Sequence, residues 1–335
     1  MTWNTNSRWT LLINRLSNER LLKGASLFRI VAGLTILYQF LINYSTRHYL
    51  FGPNGVLPWD MFTAHEVSSL YAWSGQTWWF ELVYHAGIVV AALWVMGVCT
   101  RVTTPLNAIL WTSMHNRNGM LWDGGDNMMQ IAILYACLVD VSRHFSFDAW
   151  FRRRHPAKER PTLRRILAIA HNAGVLAIVM QICLVYGIAG LYKVQGEVWQ
   201  NGTAMYYAMR TSEFYAPGLA ELVFNNSILL VVASYSVVCF QVSFPFLVFL
   251  GGKWGRRIAV MFGFGFHFGI FLFMHLTTFA AFMISVDLML LEDGELQWIG
   301  RQLRRPLDLL RWGFGRIRSR VRPATPAPSI ARTSA

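Results

Sequence analysis

Apolar positions along this chain come in long, nearly unbroken runs, not in the strict alternation of a soluble strand or the single stripe of a soluble helix. A helix that crosses a bilayer needs about 20 predominantly apolar residues. Runs of that kind occupy residues 27–44, 79–99, 166–191 and 228–250, with shorter ones at 104–114 and 127–141. A last apolar stretch, residues 258–291, is too long for one ordinary span and long enough for two, with His275, Thr277 and Thr278 at the turn. The pattern predicts an all-α fold, a polytopic helical membrane bundle of about eight transmembrane helices. Six is the alternative count, if 104–114 is re-entrant and the last pair is one tilted helix with a stub. Pro105 suits a helix start and Pro245 a kink.

Composition agrees with a membrane protein but adds a conflict. Hydrophobic residues make up 54% of the 335 residues and charged ones 14%, yet the net charge is +13. Disorder is excluded by the apolar content, and a lone soluble domain by the apolar surface it would expose. Nucleic-acid binding would use the charge but leave the Trp, Phe and Leu content unexplained, so no nucleic-acid partner is expected. The conflict dissolves when the charge is mapped onto the loops. Alternate connections carry 5, 1, 8, 3 and 9 basic residues, 26 of the 30, while the intervening ones carry 1, 1, 2 and 0. That is the positive-inside pattern with both termini cytoplasmic, expected of a multi-pass protein of the plasma membrane.

The organisation that follows is a cytoplasmic N-terminal segment at 1–26, a membrane domain at 27–292 and a basic cytoplasmic tail at 293–335. Within the tail, 303–321 mixes Leu, Trp and Phe with Arg and could lie along an anionic membrane surface, or be a solvated orientation signal. Residues 322–335 have a disordered composition. No signal peptide is read at the N-terminus. Cys99, Cys137, Cys183 and Cys239 form no CxxC pair and read as buried small hydrophobes. The nine histidines are dispersed, with no metal motif, so no metal is predicted. Gly263 and Gly265 lack the rest of a dinucleotide fingerprint and read as packing glycines.

Ionisable residues inside a membrane are costly and therefore candidates for function. Arg29, Asp140 and Asp287 fall near cytoplasmic helix ends and read as an ion-pair network or as side chains snorkelling to the interface. His267 lies deeper, about 14 Å into its span at 1.5 Å per residue, and needs a partner or a water-lined cavity. On the outer side, a first loop contains FGPNGVLP, Phe51 to Pro58. A second, MHNRNGMLWDGGDNMM, sets His115, Asn116, Asp123 and Asp126 around Gly124 and Gly125, as a polar site or a tight reversal. A third places Lys193 after Gly187, Ala189 and Gly190 at the end of a span, where desolvation would suit a base and snorkelling would explain it equally.

Taken together, FGPNGVLP, the GGD of Gly124–Asp126, AGLYKVQGEVWQNGTAMYY from Ala189 to Tyr207 and FHFGIFLFMHLTTFAAFM from Phe266 to Met283 resemble the HTTM (horizontally transferred transmembrane) family. That family is related to the membrane domain of vitamin K-dependent γ-carboxylase. The resemblance spans roughly residues 20–295 and implies a carboxylase-like enzyme that uses a lipid quinone/hydroquinone. In the animal enzyme the lysine of this AG-x-x-K segment is the proposed base toward the hydroquinone. Oxygenation then yields a strong base that removes the γ-proton of a glutamate, so that CO2 can add. Lys193 falls at that lysine, and His267 matches a histidine implied to assist an oxygen or an anion. His115 and Asn116 lie near the animal enzyme's Asn-His pair, in reversed order. No counterpart of the animal enzyme's lumenal recognition region is read here.

Three functions are open to such a chain. The first is a quinol-dependent enzyme modifying a secreted peptide or protein substrate at the outer face. The second is a non-enzymatic maturation or export factor for a secreted peptide or toxin. The third, a transporter, has only His267 to support it and no matching broken helix in another half.

Overall fold

A computed structural model describes residues 8–64, 67–156, 160–212 and 214–302. Among them every regular element is a helix, and five helices are long and apolar enough to cross a membrane. The chain divides into a bundle ending at Asp293 and a second unit from Gly294, and all five long helices belong to the bundle. The expected surface segment at 303–321 and the tail end at 322–335 lie outside the described residues.

Each apolar run of the sequence is a helix. The principal helices are α1 (Leu22–Ile42), α2 (Thr77–Met96), α3 (Thr100–Arg117), α4 (Gly124–Ala136), the short α5 (Phe147–Arg154), α6 (Pro161–Gln195), α7 (Ser227–Phe249), α8 (Gly252–Met274) and α9 (Thr277–Asp287). The α8–α9 break falls at the expected turn, where His275 takes φ 57°. Helix α7 continues through Pro245.

Several boundaries differ from the sequence reading, for visible reasons. Helix α3 begins at Thr100, so Pro105 lies inside it. The start is moved by Asp148, whose carboxylate accepts from the backbone N–H groups of Cys99 and Thr100 and from the Thr100 hydroxyl, each at 2.8 Å. Helix α4 stops at Ala136, short of the expected residue 141. Its last carbonyls take i+3 bonds from Leu138 and Val139, and the chain is then drawn away by side chains. Asp140 N–H donates to His171 Nδ1 at 3.1 Å, and Arg29 Nε donates to the Val141 carbonyl at 3.1 Å. Helix α6 starts five residues early, with Pro161 at its first turn, where its missing N–H costs nothing.

Inside a bilayer the hydrophobic effect does not drive helix against helix, so association rests on close packing. The α1 stripe Phe28, Ala32, Ile36 and Phe40 is fully buried. It meets α2 at Gly87, where an added Cβ would stand 2.5 Å from the Phe40 ring. The short α9 is the hub, packed against α1, α4 and α8.

The expected ion-pair network of Arg29, Asp140 and Asp287 is not formed. Arg29 is fully buried and bonds to carbonyls: Trp94 at 2.6 Å and Val95 in the last turn of α2, Phe145 at 2.6 Å, and Val141. A cation there suits the negative end of the α2 dipole. Asp140 accepts from the N–H and hydroxyl of Ser142. Asp287 is fully buried, not at a water-accessible helix end. Of the four free cysteines, Cys183 is buried as expected; Cys99, Cys137 and Cys239 lie on the bundle surface.

Candidate functional site

Two buried polar clusters occupy the bundle, on either side of α9. The first is built where α3 ends and α4 begins. His115 Nε2 lies 3.2 Å from Asp126 Oδ1, which also accepts from Gln39 Nε2 at 2.7 Å. Gln39 Oε1 in turn accepts from Trp111 Nε1 at 2.7 Å. Asp126 Oδ2 accepts the Asp123 N–H at 3.1 Å, and Asp123 Oδ1 accepts the N–H groups of Gly125 and Asp126 at 2.7 and 3.1 Å. This is a reciprocal capping box written with two aspartates. Burial, and then the nearby Asp126 carboxylate, push the Asp123 carboxyl up from its ordinary value. Gly125 is required by close approach: a Cβ would stand 2.8 Å from Phe279 Cα of α9.

The structure thus brings His115, Asp123 and Asp126 together. Asn116 points elsewhere, donating to the Ser68 carbonyl at 2.7 Å. Beside the cluster is a cavity of about 40 Å³, lined in part by Gln39, Asn43, His115 and Trp122, room for an ordered water but not for a substrate. The FGPNGVLP loop is pinned to the same end. Arg117 donates to the Gly52 and Leu57 carbonyls at 2.7 and 2.5 Å, and Asn118 to the Leu50 carbonyl at 3.0 Å.

The second cluster is deeper and differently finished. His267 of α8 is fully buried, with Nε2 2.6 Å from the hydroxyl of Tyr186 on α6. Asp287, at the end of α9, lies against Gly263 of α8, and neither of its oxygens makes a hydrogen bond of ordinary geometry. His267 Nδ1 also has no partner. Its ring packs against those of Phe266 and Phe279, at centroid distances of 5.0 and 5.5 Å. Gly263, one turn before His267, is what admits the acid: a Cβ there would stand 2.6 Å from Asp287 Oδ2.

Lys193 lies two turns beyond Tyr186 on the same face of α6, about 10 Å along the axis. It is half-buried, its Nζ donates only to the Ala189 carbonyl at 3.5 Å, and it stands 5.3 Å from the Trp199 ring centroid. No carboxylate pairs with it among the described residues. The small residues before it serve α7: a Cβ on Gly190 would stand 2.8 Å from the Val242 nitrogen. Lys193 and His267 are thus linked through α6 and Tyr186, not by direct contact.

The sequence reading missed Tyr186, Asp287 and Gln39 as members of these clusters, and also Asn107, a fully buried amide with both polar atoms unpartnered. For Asp287 and Asn107 the available signal was a polar residue inside an apolar run. Tyr186 carried no such mark. Among the described residues no group of His, Cys, Asp and Glu could hold a metal ion.

Comparison with curated proteins and with solved structures found no match for this chain. The sequence profile of the HTTM domain, by contrast, matches residues 23–293, which takes in α1 through α9 and both buried clusters. The chain is a multi-pass helical membrane protein that belongs to the HTTM domain family.

Proposed function

We propose that this protein is a carboxylase-like enzyme that draws on a lipid hydroquinone to modify a secreted peptide or protein at the outer face of a bacterial plasma membrane. In this reading α1–α4 and α6–α9 are eight spans and both termini are cytoplasmic. Support comes from a helix at every expected run and from 26 basic residues on alternate connections. The observation that carries the functional reading is the pair formed by a half-buried lysine without a carboxylate and a buried histidine with an unpartnered nitrogen, joined along one face of α6.

The residues suit a lipid quinol. An orphaned Nδ1 on a ring packed against two phenylalanines offers one polar point in an aromatic wall, which matches a planar ring bearing oxygen. His267 and Lys193 would hold it. When bound, a hydroquinone supplies the electrons, and through oxygen the strong base, that no side chain here can supply. Lys193 as a neutral amine accepts a hydroxyl proton at Nζ, and the ammonium formed is stabilised against the Trp199 indole. Tyr186 fixes the His267 ring through Nε2, leaving Nδ1 to face an oxygen. The phenylalanines keep water from a strongly basic centre.

The test is mass spectrometry of peptides secreted by cells that carry the wild-type protein or Lys193→Ala. A modification present with the wild type and lost with a fully inserted variant supports the enzyme; an undiminished modification overturns it. A second reading, a non-enzymatic peptide-maturation partner, is favoured by the exposed Tyr49, Trp73 and Trp78, which are 64%, 72% and 64% exposed. Crosslinking from Trp73 that captures a peptide whose fate is independent of Lys193 selects that reading.

A further inference from the structure

The basic end of the bundle holds a cavity of about 910 Å³, walled by Arg101, Arg143, Arg152, Arg160 and Arg164 from α3, the α4–α6 connection and α6. Glu19 and Asp140 also line the cavity, and both lie on Arg143, at 2.7 and 3.9 Å, while Arg164 has interactions of its own. Arg152 donates to the hydroxyl and carbonyl of Ser142, which are neutral. Arg101 and Arg160 are exposed and make no side-chain hydrogen bond among the described residues. Positive charge gathered this densely repels itself unless an anion shares the space. The rest of the lining is in large part apolar, with Ala136, Leu138, Val139, Leu163 and Leu167. A lining that joins arginines to exposed leucines suits a molecule with both an anionic head and a hydrocarbon body, whereas a free phosphate would use only the arginines.

The level of the cavity in the membrane is marked by α5, which borders it. Phe147, Trp150 and Phe151 of this helix are exposed, and Arg152, Arg153 and Arg154 follow at its end. Exposed aromatics next to arginines are the signature of an interfacial helix. The wall is also rigid, since Asp148 of α5 caps the start of α3 and its N–H donates to the Gly97 carbonyl at 3.0 Å.

We propose that this cavity is a binding site for the headgroup of an anionic phospholipid, with the phosphodiester on Arg101, Arg152 and Arg160 and acyl chain laid over Leu138, Leu163 and Leu167. It lies away from the His267 cluster and does not depend on the proposed chemistry.

Native mass spectrometry of the full-length protein in mild detergent tests this, with phosphatidylglycerol or phosphatidylcholine as the probe lipid. The expected result is retention of phosphatidylglycerol over phosphatidylcholine, weakened about tenfold in the double variant Arg101→Gln/Arg160→Gln. The charge-matched control Arg15→Gln/Lys253→Gln, at exposed positions that do not line the cavity, retains lipid as the wild type does. Glycerol 3-phosphate, added as the soluble arm, should not displace the lipid. Equal retention by the cavity variant and the control overturns the site. Displacement by glycerol 3-phosphate at comparable concentration overturns its assignment to a lipid and makes it a soluble-anion site. Both variants remove only exposed side chains, so loss of folding does not confound the comparison.

Discussion

The two polar clusters flanking α9 are built from similar side chains and finished in opposite ways. At His115 every group has a partner: Asp126 takes bonds from His115, Gln39 and the Asp123 backbone, and Gln39 passes the chain on to Trp111. At His267 one ring nitrogen and both Asp287 oxygens are left without an ordinary hydrogen bond, around a single strong contact to Tyr186. A satisfied buried network holds a fold in one arrangement, whereas an unsatisfied buried group calls for an explanation such as a ligand or an ordered water. Under the proposed function the first cluster has a structural part and the second carries the chemistry, although histidine and aspartate are prominent in both.

Substitutions can break that contrast from either side. The largest effect is expected at Asp126→Ala, which strands His115 and Gln39 together and should cost about 3–5 kcal/mol of stability, read as a lowered unfolding midpoint in detergent. Next, His267→Ala should cost about 2–4 kcal/mol through the cavity it leaves, while activity per folded molecule falls about 100-fold. Gly263→Ala pushes a methyl group against Asp287 Oδ2. It should cost about 1–3 kcal/mol and lower activity too, since the acid must move. Tyr186→Phe removes the hydroxyl that orients His267 and should lower activity about tenfold with little change in folding, a split between activity and midpoint that mere packing damage would not give. The smallest effect belongs to Asn116→Ala, which loses one exposed bond to the Ser68 carbonyl and should cost about 1 kcal/mol or less.

The helical scaffold was legible in the sequence because bilayer thickness writes itself as run length. What was not legible depended on side chains that reach across the fold. The early start of α3 is set by Asp148, and the early end of α4 by Arg29 and His171, all distant in sequence. Lys193 and His267 stood out as ionisable residues in or beside apolar runs, and Asp126 as part of a polar loop. Tyr186 did not, since a tyrosine in a span is ordinary until its hydroxyl is seen against an imidazole. Asp287 was visible but misplaced: its position near a run's end suggested water, and the packing of α9 at the centre of the bundle buries it instead. Gly263 shows the same gap, being readable as a packing glycine but not as the space that an acid fills.

The division of labour is tested most directly by one paired measurement, peptide modification per folded molecule in His267→Gln and His115→Gln, each set beside its own unfolding midpoint. The His267→Gln protein is expected to be folded but inactive, and the His115→Gln protein to lose activity only as far as its folded fraction falls. A His267→Gln protein that modifies peptide at the wild-type rate, or a fully folded His115→Gln protein that does not, would contradict that division.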